Sequence, residues 1–381
     1  MITSILSTIL KIIVGLLALN VIVFFHELGH FIFAKIFGVK VLSFSIGMGP
    51  VLLHKEINGT DYRISAIPLG GYCGMEGEKD FQKAIEEKLD SLPKNKDSLY
   101  GVHPAKRALI AFAGPLFNFI ISVFAFAIMA MIGYSMYTFS NKIIVPDDLS
   151  IQSPAREAGI LSGDRIIQIN ETKIDTFADI QQAVGLSPKE TLDIKINRDG
   201  SILDFSVKTI VDENHGNGLL GVTNSSERLE IPVAPKSFFP ALFEGVKQTH
   251  SMIKMTFKTF KILFSGVDVT NVVAGPARVS YMLGETMQSG FSSSFKEGLL
   301  FTLQLIAIIS ISLGIMNLLP IPILDGGLIL FAIIAIIFKK EVPPRIQYKI
   351  QFIGIAVIAF LFVLGMFGDI KYFVKMFRSP Q

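Results

Sequence analysis

The chain has 381 residues, half of them hydrophobic and 18% charged, with a formal net charge of +3. That charge is too small, and its Lys and Arg residues too dispersed, for a nucleic-acid-binding surface, while a mean hydropathy of +0.53 implies membrane spans joined to a soluble part. The single cysteine, Cys73, excludes an intramolecular disulfide and a cysteine zinc cluster, and reads as a packing residue.

The first predicted element covers 1–37. Its apolar stretch, Ile5 to Phe37, exceeds the roughly 20 residues that cross a bilayer. It also runs past signal-peptide length without a small-x-small cleavage site, so an uncleaved first span is expected. Between Ile12 and Ala34 the polar side chains are Asn20, His26, Glu27 and His30. His26-Glu27-Leu28-Gly29-His30 is an HExxH motif: on a helix, residues four apart share a face, so both imidazoles can grip one zinc ion with Glu27 beside them as a base. Ionisable groups at membrane depth point to function. The competing reading is a histidine pair hydrogen-bonded inside a bundle with Glu27 neutral or paired, at a burial cost of several kcal/mol.

Residues 38–107 form the next segment. Asn58-Gly59, the pair a type I′ turn requires, is flanked by Val51 to Ile57 and Tyr62 to Ile67, which predicts a hairpin. The charged stretch Glu76 to Lys96 reads as a solvated cytoplasmic loop with some helix. Lys40, Lys55, Arg63, Lys79, Lys106 and Arg107 among others place this loop in the cytoplasm by the positive-inside rule. The metal motif then lies toward the cytoplasmic leaflet.

A second span is expected over Ala108 to Tyr134, within 108–137. The segment from Ser140 to Lys296 is therefore expected outside the cytoplasm. Its part 143–225 has the short-strand texture of a small globular domain: Ile166 to Ile169, Leu192 to Ile196, the Asp199-Gly200 turn and Ile202 to Val207. Residues 236–266 follow, with Phe238, Phe239, Leu242, Phe243, Val246, Ile253, Phe257, Phe260 and Phe264 recurring among lysines. This pattern predicts an amphipathic helix on the membrane surface, or alternatively a helix covering the soluble domain. A third span, Leu299 to Leu319, continues after a break through Leu328 to Phe338, giving 299–338. The fourth, Ile350 to Phe367, lies within 350–368. An even number of spans puts both termini on one side.

Two histidines leave a tetrahedral zinc short of protein ligands. Asn317-Leu318-Leu319-Pro320-Ile321-Pro322-Ile323-Leu324-Asp325-Gly326-Gly327 interrupts a membrane helix around one carboxylate. Unwound backbone at that depth is tolerated where it is buried in protein or lines a wet cavity, which makes Asp325 the candidate third ligand. The alternative is a helix N-cap ahead of Leu328 to Phe338. Asn317 suits either a polar contact between helices or a donor to a developing oxyanion or to substrate backbone.

With HExxH in the first span and NxxPxxxLDG after a later one, the chain resembles the site-2 protease family of intramembrane metalloproteases, nearest to its bacterial RseP-type, regulator of sigma-E branch. Gly114-Pro115-Leu116-Phe117-Asn118, Gly275-Pro276 and the PDZ-like run Ser153 to Asp164 support the resemblance. It implies an α-helical multi-pass membrane protein with four transmembrane helices, a membrane-associated β-hairpin and one extracytoplasmic PDZ-like α+β domain, in the bacterial inner membrane. It implies Zn2+ on His26, His30 and Asp325, Glu27 as general base, and Asn317 as the asparagine of the NxxP motif. The implied reaction is hydrolysis of a peptide bond within or beside a transmembrane segment. The implied partners are the lipid bilayer, single-pass membrane proteins such as anti-sigma factors or signal-peptide remnants as substrates, and an upstream site-1 protease acting on the same substrate. The hairpin would pair with an unwound substrate strand.

One departure is visible. Members of this branch often carry two tandem PDZ domains, whereas the chain has room for one. Pro146-Asp147-Asp148 also lacks a glycine-rich carboxylate-binding loop, so a size filter is expected rather than capture of a free C-terminus. Rival readings are a membrane-anchored PDZ receptor without proteolysis, which has no need of Asp325, and a metal transporter, which should show internal repeats. A third is a HExxH protease acting on misfolded membrane proteins from the cytosolic side, whose motif should stand on a more polar helix.

Overall fold

The computed structural model describes residues 2–87, 89, 92–93, 95–148, 152–212, 217–263 and 275–378. The chain divides into two compact units, the first made of Met1–Met129, Phe238–Ile253 and Ala274–Gln381, the second of Ala130–Ser237 and Lys254–Val273.

The first unit opens with α1, Ile2–Ile36. Strands β1, Val41–Ile57, and β2, Thr60–Met75, then form an antiparallel ribbon. Its turn has Asn58 at φ 50° and Gly59 at φ 74°, the positive pair that matches the twist of a tight hairpin. The ribbon is longer than the apolar alternation suggests, because its inner half is irregular. Register shifts recur between Val41 and Leu53, and Gly47 adopts φ 83°, a conformation open to glycine. Toward the tip, Val51, Leu52, Leu53, Ile57 and Ile64 are exposed. Helix α2, Glu78–Glu86, falls in the charged stretch expected to hold some helix, and α3, Pro104–Ile132, follows. α1 and α3 cross closely at Gly29, where a Cβ would overlap the Ala113 carbonyl.

The second unit contains β3, Tyr134–Phe139; β4, Ile143–Ile144; α4, Pro154–Glu157; β5, Arg165–Ile169; β6, Thr172–Lys173; α5, Phe177–Gly185; β7, Thr191–Arg198; β8, Ser201–Lys208; β9, Ile210–Val211; β10, Gly218–Leu219; β11, Thr223–Asn224; and β12, Arg228–Val233. Four of these strands form an antiparallel sheet in the order β6-β5-β7-β8, while β3 pairs with β12 and β4 with β11. Along β7, Leu192, Ile194 and Ile196 are buried while Thr191, Asp193 and Lys195 are exposed, the period-two pattern of a sheet with one face on a core. That face meets Ile160, Ile166, Ile169, Ile180 and Val207. α5 starts with a capping box, Thr176 and Asp179 bonding each other's backbone N–H. Asp164, 2% exposed, receives Arg198 Nε at 2.8 Å and Nη2 at 2.7 Å.

The chain then returns to the first unit through α6, Phe238–Leu263. Phe238, Phe239, Phe243 and Phe257 are exposed, Ala241 and Thr249 are buried, and Gly245 abuts the Val123 carbonyl of α3. The side chain of Phe260, and Phe264 altogether, lie outside the described residues. Next comes α7, Pro276–Ser293, a helix that the sequence pattern did not reveal. It packs along α1 by glycine contacts, Gly15 against the Ser280 carbonyl and Gly284 against the Lys11 carbonyl. Two spans complete the unit, α8, Phe295–Asn317, and α10, Pro344–Arg378, with α9, Asp325–Phe338, between them. Asp369 of α10 accepts the Gly275, Ala277 and Arg278 N–H groups at 2.8, 3.0 and 3.1 Å, satisfying donors that the start of α7 leaves open.

Among the described residues, four helices are long and apolar enough to cross a membrane: Leu6–Ile36, Pro104–Ile132, Phe295–Asn317 and Pro344–Met376. They are compatible with a multi-pass membrane protein.

Candidate metal centre

His26 and His30 sit one turn apart on α1, both buried, with their Nε2 atoms 3.2 Å apart. Asp325 reaches them from the first turn of α9, Oδ2 lying 3.2 Å from His26 Nε2 and Oδ1 3.4 Å from His30 Nε2. These separations match the edge of a tetrahedron whose bonds to a central ion are about 2.0–2.1 Å, for which the ligand atoms stand about 3.3 Å apart. Among the described residues, this is the group of His, Cys, Asp or Glu side chains positioned to hold a metal ion.

The polar groups around the three residues explain why a cation fits. His30 Nδ1 lies 2.8 Å from the Ile110 carbonyl oxygen. A carbonyl only accepts, so Nδ1 carries the hydrogen and Nε2 of the neutral ring presents a lone pair. That lone pair faces a second Nε2 and a carboxylate oxygen, and Asp325 Oδ2 is buried without a hydrogen-bond donor. With His26 in the same tautomer the three groups are all acceptors, and a cation between them would turn their repulsion into ligation.

The cap alternative for Asp325 does not describe this geometry. The N-cap of α9 is Leu324, with no side-chain cap hydrogen bond, and Asp325 is already helical. The preceding break is tightly packed: a Cβ on Gly326 would overlap the Leu319 and Leu318 carbonyls, and one on Gly327 the Ile321 carbonyl. Asn317, the last residue of α8, points its Nδ2 at His26 Nε2 from 3.3 Å. The two ends of the interrupted span therefore converge on one imidazole.

Glu27 lies beside the pair on α1, where β2 passes across it. Gly71 lies alongside the Glu27 side chain, a Cβ there overlapping the Ser45 carbonyl of β1, and the Cys73 backbone N–H donates to the Glu27 carboxyl. His26, Glu27, His30, Asn317 and Asp325 line one cleft of about 450 Å³, together with Met48, Gly70 to Met75 of β2, and Leu313 and Leu328. The structure thus brings all five candidate residues together. Sequence reasoning missed the part played by α3, whose Ile110, Gly114 and Asn118 face the histidines. Their four-residue spacing puts them on one helical face and was the available signal.

Two helical histidines and a carboxylate from another helix thus converge on one cleft, an arrangement that could hold a metal ion, in a chain whose helices are compatible with a membrane protein. The comparisons name the family. Residues 14–361 match the model of peptidase family M50, the site-2 protease family, and the chain belongs to it. It is 34% identical to a provisionally named zinc metalloprotease of Treponema pallidum, over 95% of this chain and 99% of the relative. A Campylobacter jejuni protein with the same provisional description is 34% identical over 93% of this chain and 92% of its own length. One from Helicobacter pylori is 32% identical over 94% and 98%.

Proposed function

We propose that the protein is a zinc-dependent endopeptidase that cuts membrane-protein substrates within or beside a transmembrane segment. The observation that carries this reading is the convergence of two Nε2 atoms and a donorless carboxylate at tetrahedral spacing, beside Glu27, in a cleft formed by apolar helices. His26, His30 and Asp325 would hold the ion. A zinc ion held there supplies a Lewis acid and makes a water nucleophilic near neutral pH. Glu27 takes the proton from that water and passes it to the leaving amine. Asn317 donates from Nδ2 to the substrate carbonyl as negative charge develops on its oxygen.

A helical substrate hides its scissile amide and must unwind first. β2 borders the cleft from Gly70 to Met75, and strand addition there would replace the hydrogen bonds that unwinding removes. The exposed apolar tip of the ribbon suits association with the membrane, and the surface of α6 suits the interface. We read the second unit as the PDZ-like domain. Its groove of about 340 Å³ between α5 and residues 217–224 is the supporting feature, and we assign the unit to limiting substrate size. The cytoplasmic side for the metal site, the inner membrane, and anti-sigma factors or signal-peptide remnants as substrates complete the reading, with a site-1 protease acting upstream. A membrane-anchored receptor without proteolysis leaves the convergence at Asp325 without a purpose.

The test is Glu27→Gln in cells. Cleavage should fall by about 10²–10⁴ while the purified protein keeps its zinc, and uncut membrane-protein stubs should accumulate in mass spectra of the membrane fraction. Undiminished cleavage by Glu27→Gln sinks the assignment.

A further inference from the structure

The proposed chemistry uses His26 and His30 through Nε2 and leaves open what governs the other nitrogen of each ring. α3 meets both. For His30 the partner is the Ile110 carbonyl; for His26 it is the side chain of Asn118, placed with its Nδ2 3.0 Å from Nδ1. Between these two contacts stands Gly114, where a Cβ would overlap both imidazoles. The rings therefore lie directly against the α3 backbone, within reach of groups one turn to either side.

Asn118 is fully buried. Among the described residues its side chain has one partner, His26, and its Oδ1 has none. Its contact with the neighbouring span α1 is thus made to a histidine ring and not to backbone. A backbone contact between spans is made one turn away by Ser122, whose hydroxyl bonds the Asn118 carbonyl at 2.9 Å and the Ala307 carbonyl of α8 at 3.0 Å.

A neutral imidazole carries one hydrogen, so His26 can offer Nε2 to a metal only when Nδ1 holds that hydrogen. Ile110 imposes this tautomer on His30 because a carbonyl can only accept. A carboxamide can accept or donate, and its two orientations fill the same volume. The one with Oδ1 toward Nδ1–H, reached by turning the carboxamide over from the placement with Nδ2 at Nδ1, leaves Nε2 free for the metal; the other leaves the hydrogen on Nε2. We infer that Asn118 is a positioning residue of the metal site, its Oδ1 accepting the His26 Nδ1 hydrogen and so setting both the tautomer and the ring plane. α3 thereby supplies one acceptor to each histidine and no ligand of its own. The inference rests on the zinc-site reading above.

The test uses the full chain, purified with its membrane helices intact, as wild type, Asn118→Leu and Asn118→Asp. Zinc affinity is measured by chelator competition, and the absorption spectrum is recorded with Co2+ in place of zinc. Leucine fills the space and cannot accept, so affinity should fall by about 10–100-fold and the Co2+ bands should shift. A carboxylate only accepts, so Asn118→Asp should restore both the affinity and the bands of the wild type. Wild-type affinity in Asn118→Leu overturns the inference. So does a folded Asn118→Asp that binds zinc about 10–100-fold more weakly than the wild type, and this arm stands even if the leucine variant does not fold. If the wild type itself binds neither metal, the zinc-site reading falls; if it binds and the variants bind equally, only the role of Asn118 falls.

Discussion

The core of the second unit and the histidine crossing of the first are buried by opposite means. In the second unit, isoleucine and leucine side chains interdigitate: Ile160, Ile166, Ile194 and Ile196 are essentially inaccessible, each contributing about 1.5–3 kcal/mol by leaving water. At the crossing of α1 and α3, side chains are deleted instead. Gly29 and Gly114 let helices meet at backbone distance, and the space gained holds two imidazoles, a carboxylate and two carboxamides. Apolar segments in lipid gain little by hiding from water, so close backbone approach and polar contacts do the joining there. One region is held by apolar packing; the other gathers polar groups at a position suited to an ion.

This contrast can be broken by substitution. The largest effect is expected from Asp325→Asn. Zinc affinity should drop by more than the roughly 100-fold attributed to losing an outer hydrogen-bond partner, with the thermal transition of the second unit unchanged. Metal content by mass spectrometry and differential scanning calorimetry on one sample check both halves. The reverse experiment is Ile194→Ala, which should remove about 2–5 kcal/mol from the second unit and leave zinc affinity as it was. If each substitution disturbed both readouts equally, the two regions would not be separate in energy.

A smaller, pH-dependent effect sharpens the picture within the second unit. Burial pushes the Asp164 carboxyl upward, but the Arg198 guanidinium and the Leu161 N–H prevail, holding it below the ordinary carboxylate value. A carboxyl depressed by folding stabilises the native state above its unfolded pKa, and that contribution disappears as pH falls through the lowered value. Denaturant melts of the wild type should therefore weaken on acidification below about pH 4. Asp164→Asn should be less stable than wild type at neutral pH and show a flatter decline in acid; parallel declines would remove Asp164 from the account.

Legibility in the sequence follows the same division. HExxH and the LDG break could be read because helical spacing and the intolerance of lipid for unwound backbone are local rules, and they led to His26, His30 and Asp325. β7 and the Asp199-Gly200 turn were legible through strict alternation. The inner half of the ribbon was not, because its glycines and register shifts hide the pattern while carrying β2 past Glu27. α7 escaped notice because its contacts with α1 are made by Gly15 and Gly284, whose lack of a side chain leaves no hydropathy signal. Asn118 lay in a motif used only as a family resemblance. Its meaning depends on the distance between two helices, which no single segment records.

The interrupted span has a thermodynamic consequence. Asn317 closes α8 and Asp325 opens α9, and both approach Nε2 of His26; because that nitrogen has one lone pair, a bound ion would displace the Asn317 contact and tie the segment to α1 through Asp325. A metal bound there couples loading to local order by mass action: the free energy of binding resists any opening that separates α9 from α1. Amide hydrogens across 318–327 should then exchange with solvent at rates that fall as free zinc rises, while those of β7 stay indifferent. The ion would act as a removable rivet in a split helix, and the concentration of zinc in the compartment would set how often the cleft comes apart.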